Sequence, residues 1–307
     1  MKAEHLFRSK WGMILAAGGA TFLWGSSFPF IKLSYDMLGI EADQIGEQIL
    51  FAGYRFFLAA LMIIFILYMS KTRVNRSKDH IQPLMMIGFF QTFLQYILFY
   101  IGLSLSTGIQ GSIIAGTTTF FQIIFAHFMY KDDHLSWRKV VGLIIGFMGV
   151  IFVNLTNGSL HLNFGLGEIL LIIAMISSAF GNILARNGSA KMDVAYLTTV
   201  QMFIGSIGLL TIGVFSVGFF PFDFDISSFM ILIYLSFISA AGFILWNNVM
   251  KYNKVGKVSV FLFLIPVFGV FLSSLILDEP IHLYVIVGLI FVTSGIVIVN
   301  RNKAKQA

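Results

Sequence analysis

Ten long apolar segments, separated by short loops, occupy most of this 307-residue chain. Each is close to the roughly 20 residues that an α-helix needs to cross about 30 Å of hydrocarbon. Only 11% of the residues are charged, whereas a soluble domain is about one-quarter charged. The sequence therefore predicts an all-α polytopic membrane protein, with spans near residues 12–34, 47–69, 83–105, 109–130, 137–154, 165–185, 195–218, 228–249, 257–277 and 281–300.

The basic residues fix the orientation of these predicted spans. With the N-terminus in the cytoplasm, every Lys and Arg except Lys32 and Arg55 falls on the inner side, and the outer loops contain none. Basic residues resist translocation, so this asymmetry supports ten transmembrane helices with both termini in the cytoplasm. The same bias accounts for the net charge of +6, so we expect the lipid bilayer, and no nucleic acid, as a partner.

The sequence argues against an enzyme. It has no cysteine, which excludes disulfides, thiolate nucleophiles and Cys-ligated metals. It has no G-x-x-x-x-G-K, G-x-G-x-x-G or H-E-x-x-H motif. Asp223 and Asp225 have a D-x-D spacing, but their short outer loop has no domain to hold a nucleotide sugar. We therefore expect no catalytic residue, no cofactor and no metal site.

The second half of the chain resembles the first. Residues 129–154 align with residues 275–300 at a constant shift of 146, which predicts two five-helix repeats, residues 1–155 and 156–307. Because five is odd, the second repeat enters the membrane from the opposite side. Inverted repeats of this kind are typical of transporters that alternate between inward-open and outward-open states. The alignment pairs Asp132-Asp133 with Asp278-Glu279, Gly142 with Gly288, Gly149 with Gly295, and Asn154 with Asn300.

Three short motifs carry a family resemblance across nearly the whole chain. They are Trp24-Gly25-Ser26-Ser27-Phe28-Pro29 with Lys32, then Arg55-Phe56-Phe57-Leu58-Ala59, then Pro266 with Asp278-Glu279. With ten predicted spans, the chain resembles the EamA family of the drug/metabolite transporter superfamily. One departure is that Phe120 stands in the first repeat where Pro266 stands in the second. The resemblance implies a multi-pass protein of a bacterial cytoplasmic membrane that exports or exchanges small metabolites, often amino acids.

Three ionisable residues lie within the predicted spans, all in the outer third: Lys32, Arg55 and Glu168. Charges there are costly unless they are paired or solvated. One interpretation is structural, with Lys32 and Arg55 snorkelling or pairing with Glu168, Asp36 or Glu47. The other is functional, an external gate or a cation that meets a substrate carboxylate. Arg55 is the stronger candidate because it is deeper and can bind a carboxylate through two hydrogen bonds.

Neutral polar and helix-breaking residues in mid-span suggest a substrate site. Gln91 and Gln95 are four residues apart and are expected on one helix face, either bonded to other helices or lining a cavity. Pro29 and Pro266 break backbone hydrogen bonds at predicted gating kinks near the repeat interface. Trp24 is either a packing residue or a stacking wall. The predicted substrate-binding set is Trp24, Ser26, Ser27, Arg55, Gln91, Gln95, Thr118, Gln122 and Asn182, with Pro29, Lys32 and Pro266 assigned to gating.

The sequence thus predicts an alternating-access carrier for a small polar or amphipathic metabolite such as an amino acid. A membrane sensor or assembly protein that transports nothing, and a channel or facilitator, are the alternatives. The sequence leaves open the substrate, the direction, the coupling ion and the oligomeric state.

Overall fold

The computed structural model describes residues 2–69, 80–131, 133–153 and 165–300, and these ranges are helical with no strand. Asp132 and Asn154 of the repeat alignment lie outside them. The elements are α1 (Lys2–Arg8), α2 (Lys10–Leu38), α3 (Ile45–Met69), α4 (Ile81–Gly88), a π-helix (Phe89–Leu94), α5 (Gln95–Ser104), α6 (Gly108–Ala115), α7 (Thr118–Met129), α8 (Trp137–Val153), α9 (Leu166–Ser189), α10 (Val194–Val217), α11 (Ile226–Tyr252), α12 (Val255–Val258), a 3₁₀-helix (Ser259–Phe263), α13 (Leu264–Leu277) and α14 (Leu283–Asn300).

Eight of the ten predicted spans appear as helices, or as continuous runs of short helices, that are long and apolar enough to cross a membrane. They are α2, α3, Ile81–Ser104, Gly108–Met129, α9, α10, α11 and Val255–Leu277. The other two predicted segments correspond to the shorter helices α8 and α14. The all-helical membrane fold is therefore confirmed, while the count of ten spans and the cytoplasmic termini stay predictions.

The helices pack in a pattern that is symmetric between the two predicted repeats. Helix α2 of the first predicted repeat packs on α11 and α13 of the second. Its counterpart in the second repeat, α9, packs on α5 and α7 of the first, which are the counterparts of α11 and α13. Three further contacts pair corresponding spans with each other: α3 with α10, α8 with α14, and α6 with α13. Two five-helix units related by a two-fold axis would give this set of contacts. Each of these contacts joins one predicted repeat to the other.

Glycines allow the closest of these approaches. A Cβ atom added to Gly295 of α14 would lie 2.5 Å from the carbonyl oxygen of Gly142 and 2.9 Å from the amide nitrogen of Gly146 on α8. Only small residues permit helix backbones to come so close in a membrane. The glycine pattern that the sequence contains in both repeats thus joins α8 to α14 within one chain.

Three spans change their helical geometry halfway along. The span Ile81–Ser104 passes through the π-helix, and Val255–Leu277 passes through the 3₁₀-helix before Pro266. The span Gly108–Met129 breaks at Gly116 and Thr117, although it has no proline. A Cβ atom on Gly116 would lie 2.8 Å from Cγ of Pro266. The proline of one predicted repeat therefore packs on the break in the other.

Candidate substrate site

A narrow cavity lies between the two predicted repeats, at the middle of the spans. Its first-half residues are Trp24, Ser27, Phe28, Gln95, Tyr96, Phe99, Ala115 and Thr118, and its second-half residues are Met175, Ser178, Asn182, Phe243, Leu262 and Ile265. Among these described lining residues none carries a formal charge. The cavity contains five of the predicted site residues: Trp24, Ser27, Gln95, Thr118 and Asn182.

Aromatic rings form one wall of the cavity. The Trp24 indole packs edge-on against Phe243, with 5.1 Å between ring centroids, and tilted against Trp246 at 5.7 Å. Gly242 of α11 makes room for it, because a Cβ atom there would lie 2.7 Å from Nε1 of Trp24. Trp24 therefore packs α2 against α11 and lines the cavity, while its role as a stacking wall for a substrate stays a prediction.

A chain of amide hydrogen bonds crosses four elements beside the cavity. Nε2 of Gln91 donates to Oδ1 of Asn182 at 2.6 Å, and Nδ2 of Asn182 donates to Oε1 of Gln122 at 2.9 Å. Nε2 of Gln122 then donates to the hydroxyl of Ser259 at 2.7 Å. Each predicted repeat supplies two of these four residues. These bonds pair amides that would be costly in an apolar interior and link the two predicted repeats, although Oε1 of Gln91 accepts no hydrogen bond from the described residues.

The π-helix separates the two glutamines that the sequence places on one face. Gln91 is fully buried in the amide chain, while Gln95 lines the cavity and its Oε1 accepts no hydrogen bond from the described residues. A π-turn frees backbone carbonyls, and that of Phe90 accepts a hydrogen bond from the Ser177 hydroxyl at 2.7 Å. Gly181 permits this contact, since a Cβ atom there would lie 2.7 Å from Cβ of Gln91.

Arg55 is buried behind the cavity rather than in its wall. Nε donates to the Ser239 hydroxyl at 2.8 Å and to the Leu235 carbonyl at 3.1 Å, and Nη1 donates to the Tyr100 hydroxyl at 3.1 Å. Its guanidinium carbon lies 5.8 Å from the ring centroid of Tyr96, which does line the cavity. No carboxylate of the described residues pairs with Arg55. The predicted ion pair with Glu168, Asp36 or Glu47 is therefore not formed among the described residues, where the hydrogen-bond partners of Arg55 are neutral groups.

Lys32 and Glu168 both contact the corner between α5 and α6. Nζ of Lys32 donates to the carbonyls of Ser106 at 2.6 Å and Leu103 at 3.3 Å, at the negative end of α5. Oε1 of Glu168 accepts a hydrogen bond from the Ser106 hydroxyl, and Oε2 accepts from the Gly165 amide at the start of α9. Both side chains thus have hydrogen-bond partners, but Lys32 binds backbone carbonyls rather than one of the predicted carboxylates, and the structural and gating interpretations both stay predictions.

The remaining predicted residues support the site from behind. Ser26 shares a hydrogen bond of 3.0 Å with the Tyr234 hydroxyl, which joins α2 to α11. Pro29 is buried one turn beyond Gly25, where a Cβ atom would lie 2.7 Å from Cβ of Phe268 on α13. Pro29 and Pro266 therefore lie where α2 and α13 pack together and where α13 meets the break at Gly116.

Sequence reasoning missed much of the cavity wall. Tyr96, Phe99 and Phe243 carry no local signal, because aromatic residues make up 16% of the chain and occur in every part of it, and Met175 is one of 14 methionines. Ser178 is a mid-span polar residue, and the rule that selected Asn182 on the same helix would have found it. Ser259 needed knowledge of the 3₁₀-helix that turns its hydroxyl toward Gln122.

Comparisons with known proteins agree with this architecture. The sequence profile of the EamA-like transporter family matches twice, at residues 10–155 and 165–301. The chain is 26% identical to the uncharacterized transporter YvbV of Bacillus subtilis, covering 99% of this chain and 96% of that protein. It is 23% identical to the S-adenosylmethionine/S-adenosylhomocysteine transporter of Chlamydia trachomatis serovar L2, covering 84% and 80%.

A solved crystal structure has the same fold, with a TM-score of 0.70 at 15% identity, over 94% of this chain and 96% of that one. Because the family profile covers nearly the whole sequence in two copies, this chain is a multi-pass membrane protein of the EamA-like transporter family.

Proposed function

We propose that this membrane transporter is a carrier that moves a small amphipathic metabolite across the cytoplasmic membrane by alternating access. The observation that carries the proposal is the mid-span cavity, to which both predicted repeats contribute side chains. A site at the repeat interface is exposed to either side of the membrane when the two halves exchange conformations. Helices α2 and α9 make equivalent contacts with the opposite repeat. This equivalence supports the same mechanism, because each repeat could take up the conformation of the other.

The lining favours an amphipathic substrate. Aromatic rings and Met175 offer apolar contact, while Gln95, Thr118 and Asn182 offer neutral hydrogen-bonding groups. Arg55 has no carboxylate partner among the described residues and lies behind Tyr96, so its positive charge would favour a substrate carboxylate at this end of the cavity. An amino acid with an apolar side chain fits these features. The chlamydial relative is named for two compounds that both contain an amino-acid group, so both belong among the test substrates.

Counterflow in liposomes tests the proposal. The purified chain is reconstituted, the liposomes are loaded with one unlabelled compound, and uptake of its labelled form is followed. The panel contains amino acids, amines, nucleosides, S-adenosylmethionine and S-adenosylhomocysteine. A carrier accumulates label transiently and saturably, because inward and outward movements share one site, whereas a channel gives only simple equilibration.

The expected result is saturable exchange of one chemical class. A Thr118→Val variant, which removes a cavity hydroxyl at almost constant volume, should change the apparent KM for that class. Thr211→Val is its control, because the Thr211 hydroxyl bonds only to its own helix at an exposed position. Equilibration without counterflow would contradict the carrier mechanism. Absence of any flux from folded, inserted protein across the whole panel would favour a sensor or assembly role.

A further inference from the structure

Two acidic side chains bind the two predicted repeats together at opposite ends of the molecule. Asp133 follows the span Gly108–Met129, and its Oδ2 accepts a hydrogen bond of 2.7 Å from the amide of Gly256. Its Oδ1 accepts a second hydrogen bond, of 2.8 Å, from Nζ of Lys139. Asp133 is 8% exposed. A residue of the first repeat therefore binds the start of Val255–Leu277 in the second.

The other end has the converse arrangement. Glu279 follows the span Val255–Leu277, and its two carboxylate oxygens accept hydrogen bonds from the amides of Gly108 at 2.7 Å and Ile109 at 2.8 Å. A lysine accompanies this carboxylate as well, because Lys32 interacts electrostatically with Glu279. A residue of the second repeat therefore binds the start of Gly108–Met129 in the first. Asp133 and Glu279 are also equivalent in the sequence alignment, which shifts one repeat by 146 residues.

Both contacts depend on a glycine at the helix start. A Cβ atom on Gly256 would lie 2.6 Å from Oδ1 of Asp133 and 2.9 Å from Nζ of Lys139. A Cβ atom on Gly108 would lie 2.6 Å from Oγ of Ser273 and 3.3 Å from Oε1 of Glu279. A larger residue in place of Gly256 would push the Asp133 carboxylate away, whereas one in place of Gly108 would meet Ser273 first and crowd the Glu279 carboxylate. The amides at a helix start have no partner within the helix and attract negative charge, so these carboxylates hold the two spans firmly.

We infer that Asp133 and Glu279 are the two latches of the transport cycle, Asp133 closing the predicted cytoplasmic end and Glu279 the predicted outer end. Each latch fastens a span that lines the cavity to the opposite repeat. Both are made in this structure, so each must release before its end of the cavity opens. The inference rests on the proposed alternating access and assigns to it the residues that hold each end shut.

Labelling from each side of the membrane tests the latches without a known substrate. The chain has no cysteine, so Ser178→Cys introduces a single reporter thiol on the cavity wall. Its reaction with a membrane-impermeant maleimide is measured in right-side-out and inside-out vesicles. Glu279→Gln should raise labelling from the outer side on the order of tenfold and lower it from the inner side, because losing one latch shifts the population toward that opening. Asp133→Asn should do the reverse.

The controls remove other carboxylates that cap helices within one repeat. Asp225 accepts from the amide of Ser228 at the start of α11, and Asp193 accepts from the amides of Ala195 and Tyr196 at the start of α10. Asp225→Asn and Asp193→Asn should leave the ratio of outer to inner labelling unchanged. Gly108→Ala and Gly256→Ala retain both acids and should change the ratio in the same direction as Glu279→Gln and Asp133→Asn.

Equal changes from both sides, or unchanged labelling in folded protein, would overturn the inference and reduce both acids to helix caps. Because the labelling needs no substrate, the two proposals fail separately. Opposite labelling shifts without any counterflow would leave the latches standing and reject the carrier. Counterflow with side-independent labelling would keep the carrier and reject the latches.

Discussion

Among single residues, glycines shape the cavity as much as the side chains that line it. Gly242 has no predicted role in the sequence, yet its lack of a side chain determines where the Trp24 indole can lie. Arg55, in contrast, is conspicuous in the sequence because it is a charged residue within an apolar segment. Its hydrogen-bond partners on α5 and α11 could not be predicted from the sequence.

We predict that Gly242→Ala impairs transport by displacing Trp24 into the cavity. Overpacking of this kind costs about 1–3 kcal/mol of folding stability, and we expect the displaced ring to raise the apparent KM as well. Gly19→Ala is a matched control on the facing helix, because its Cβ atom would lie 3.7 Å from Leu245, an ordinary contact distance. The apparent KM in counterflow measures both. Equal KM values for Gly242→Ala and wild type would show that the indole position does not matter for binding.

We predict that Arg55→Ala loses transport and also lowers stability. Removing the guanidinium leaves the buried Ser239 and Tyr100 hydroxyls without this partner, at a cost of about 1–3 kcal/mol. Arg55→Lys keeps the positive charge and should retain part of the exchange. Thermal unfolding in detergent and counterflow are measured on the same preparations. Full exchange by Arg55→Ala would contradict a role of this charge in transport.

At the scale of helices, hydrophobicity predicts where a span lies but not its internal geometry. The apolar segment 83–105 matches the span Ile81–Ser104 closely, yet nothing in its composition indicates the π-helix at its centre. That element arises because α9 approaches closely at Gly181 and supplies Ser177 to a freed carbonyl. The i, i+4 rule assumes an unbroken α-helix and therefore predicts the same surroundings for Gln91 and Gln95, whereas Gln91 bonds to Asn182 and Gln95 lines the cavity.

We predict that the two glutamines respond differently to truncation. Gln91→Ala should lower the thermal midpoint, because it leaves a buried oxygen of Asn182 unpaired at a cost of about 1–3 kcal/mol. Gln95→Ala should change the apparent KM with little effect on stability, because Gln95 lines the cavity and its Oε1 accepts no hydrogen bond from the described residues. Thermal unfolding and counterflow of both variants separate these outcomes. A lowered thermal midpoint alone for Gln95→Ala would show that it is a packing residue.

At the scale of the whole molecule, sequence symmetry predicted which residues are equivalent but not what they contact. The alignment paired Asp133 with Glu279 as acidic corners. Their partners, Gly256 and Gly108, lie 123 and 171 residues away in the chain and become visible only in the folded structure. The helix bounds agree with the predicted segments, because segment length follows from the thickness of the bilayer. The orientation that the one-sided distribution of Lys and Arg predicts stays a prediction.

The predicted topology is open to direct test with single cysteines in this cysteine-free chain. Asp43→Cys and Phe219→Cys, in predicted outer loops, should react with an impermeant maleimide added outside intact cells. Ser136→Cys and Asn253→Cys, in predicted inner loops, should react only after the membrane is opened. The reverse pattern would invert the orientation, and a mixed pattern would change the number of spans.

If the substrate passes through the cavity between the two predicted repeats, a side chain that fills the cavity must stop transport. Ala115 lines the cavity, so Ala115→Phe should fill it, whereas Leu61→Phe adds a ring at a position that is 40% exposed on the outside of α3. Both variants are compared with wild type in counterflow, using the substrate class identified from the panel. We expect Ala115→Phe to abolish exchange and Leu61→Phe to retain it. Undiminished exchange by folded Ala115→Phe protein would show that the substrate does not pass through this cavity.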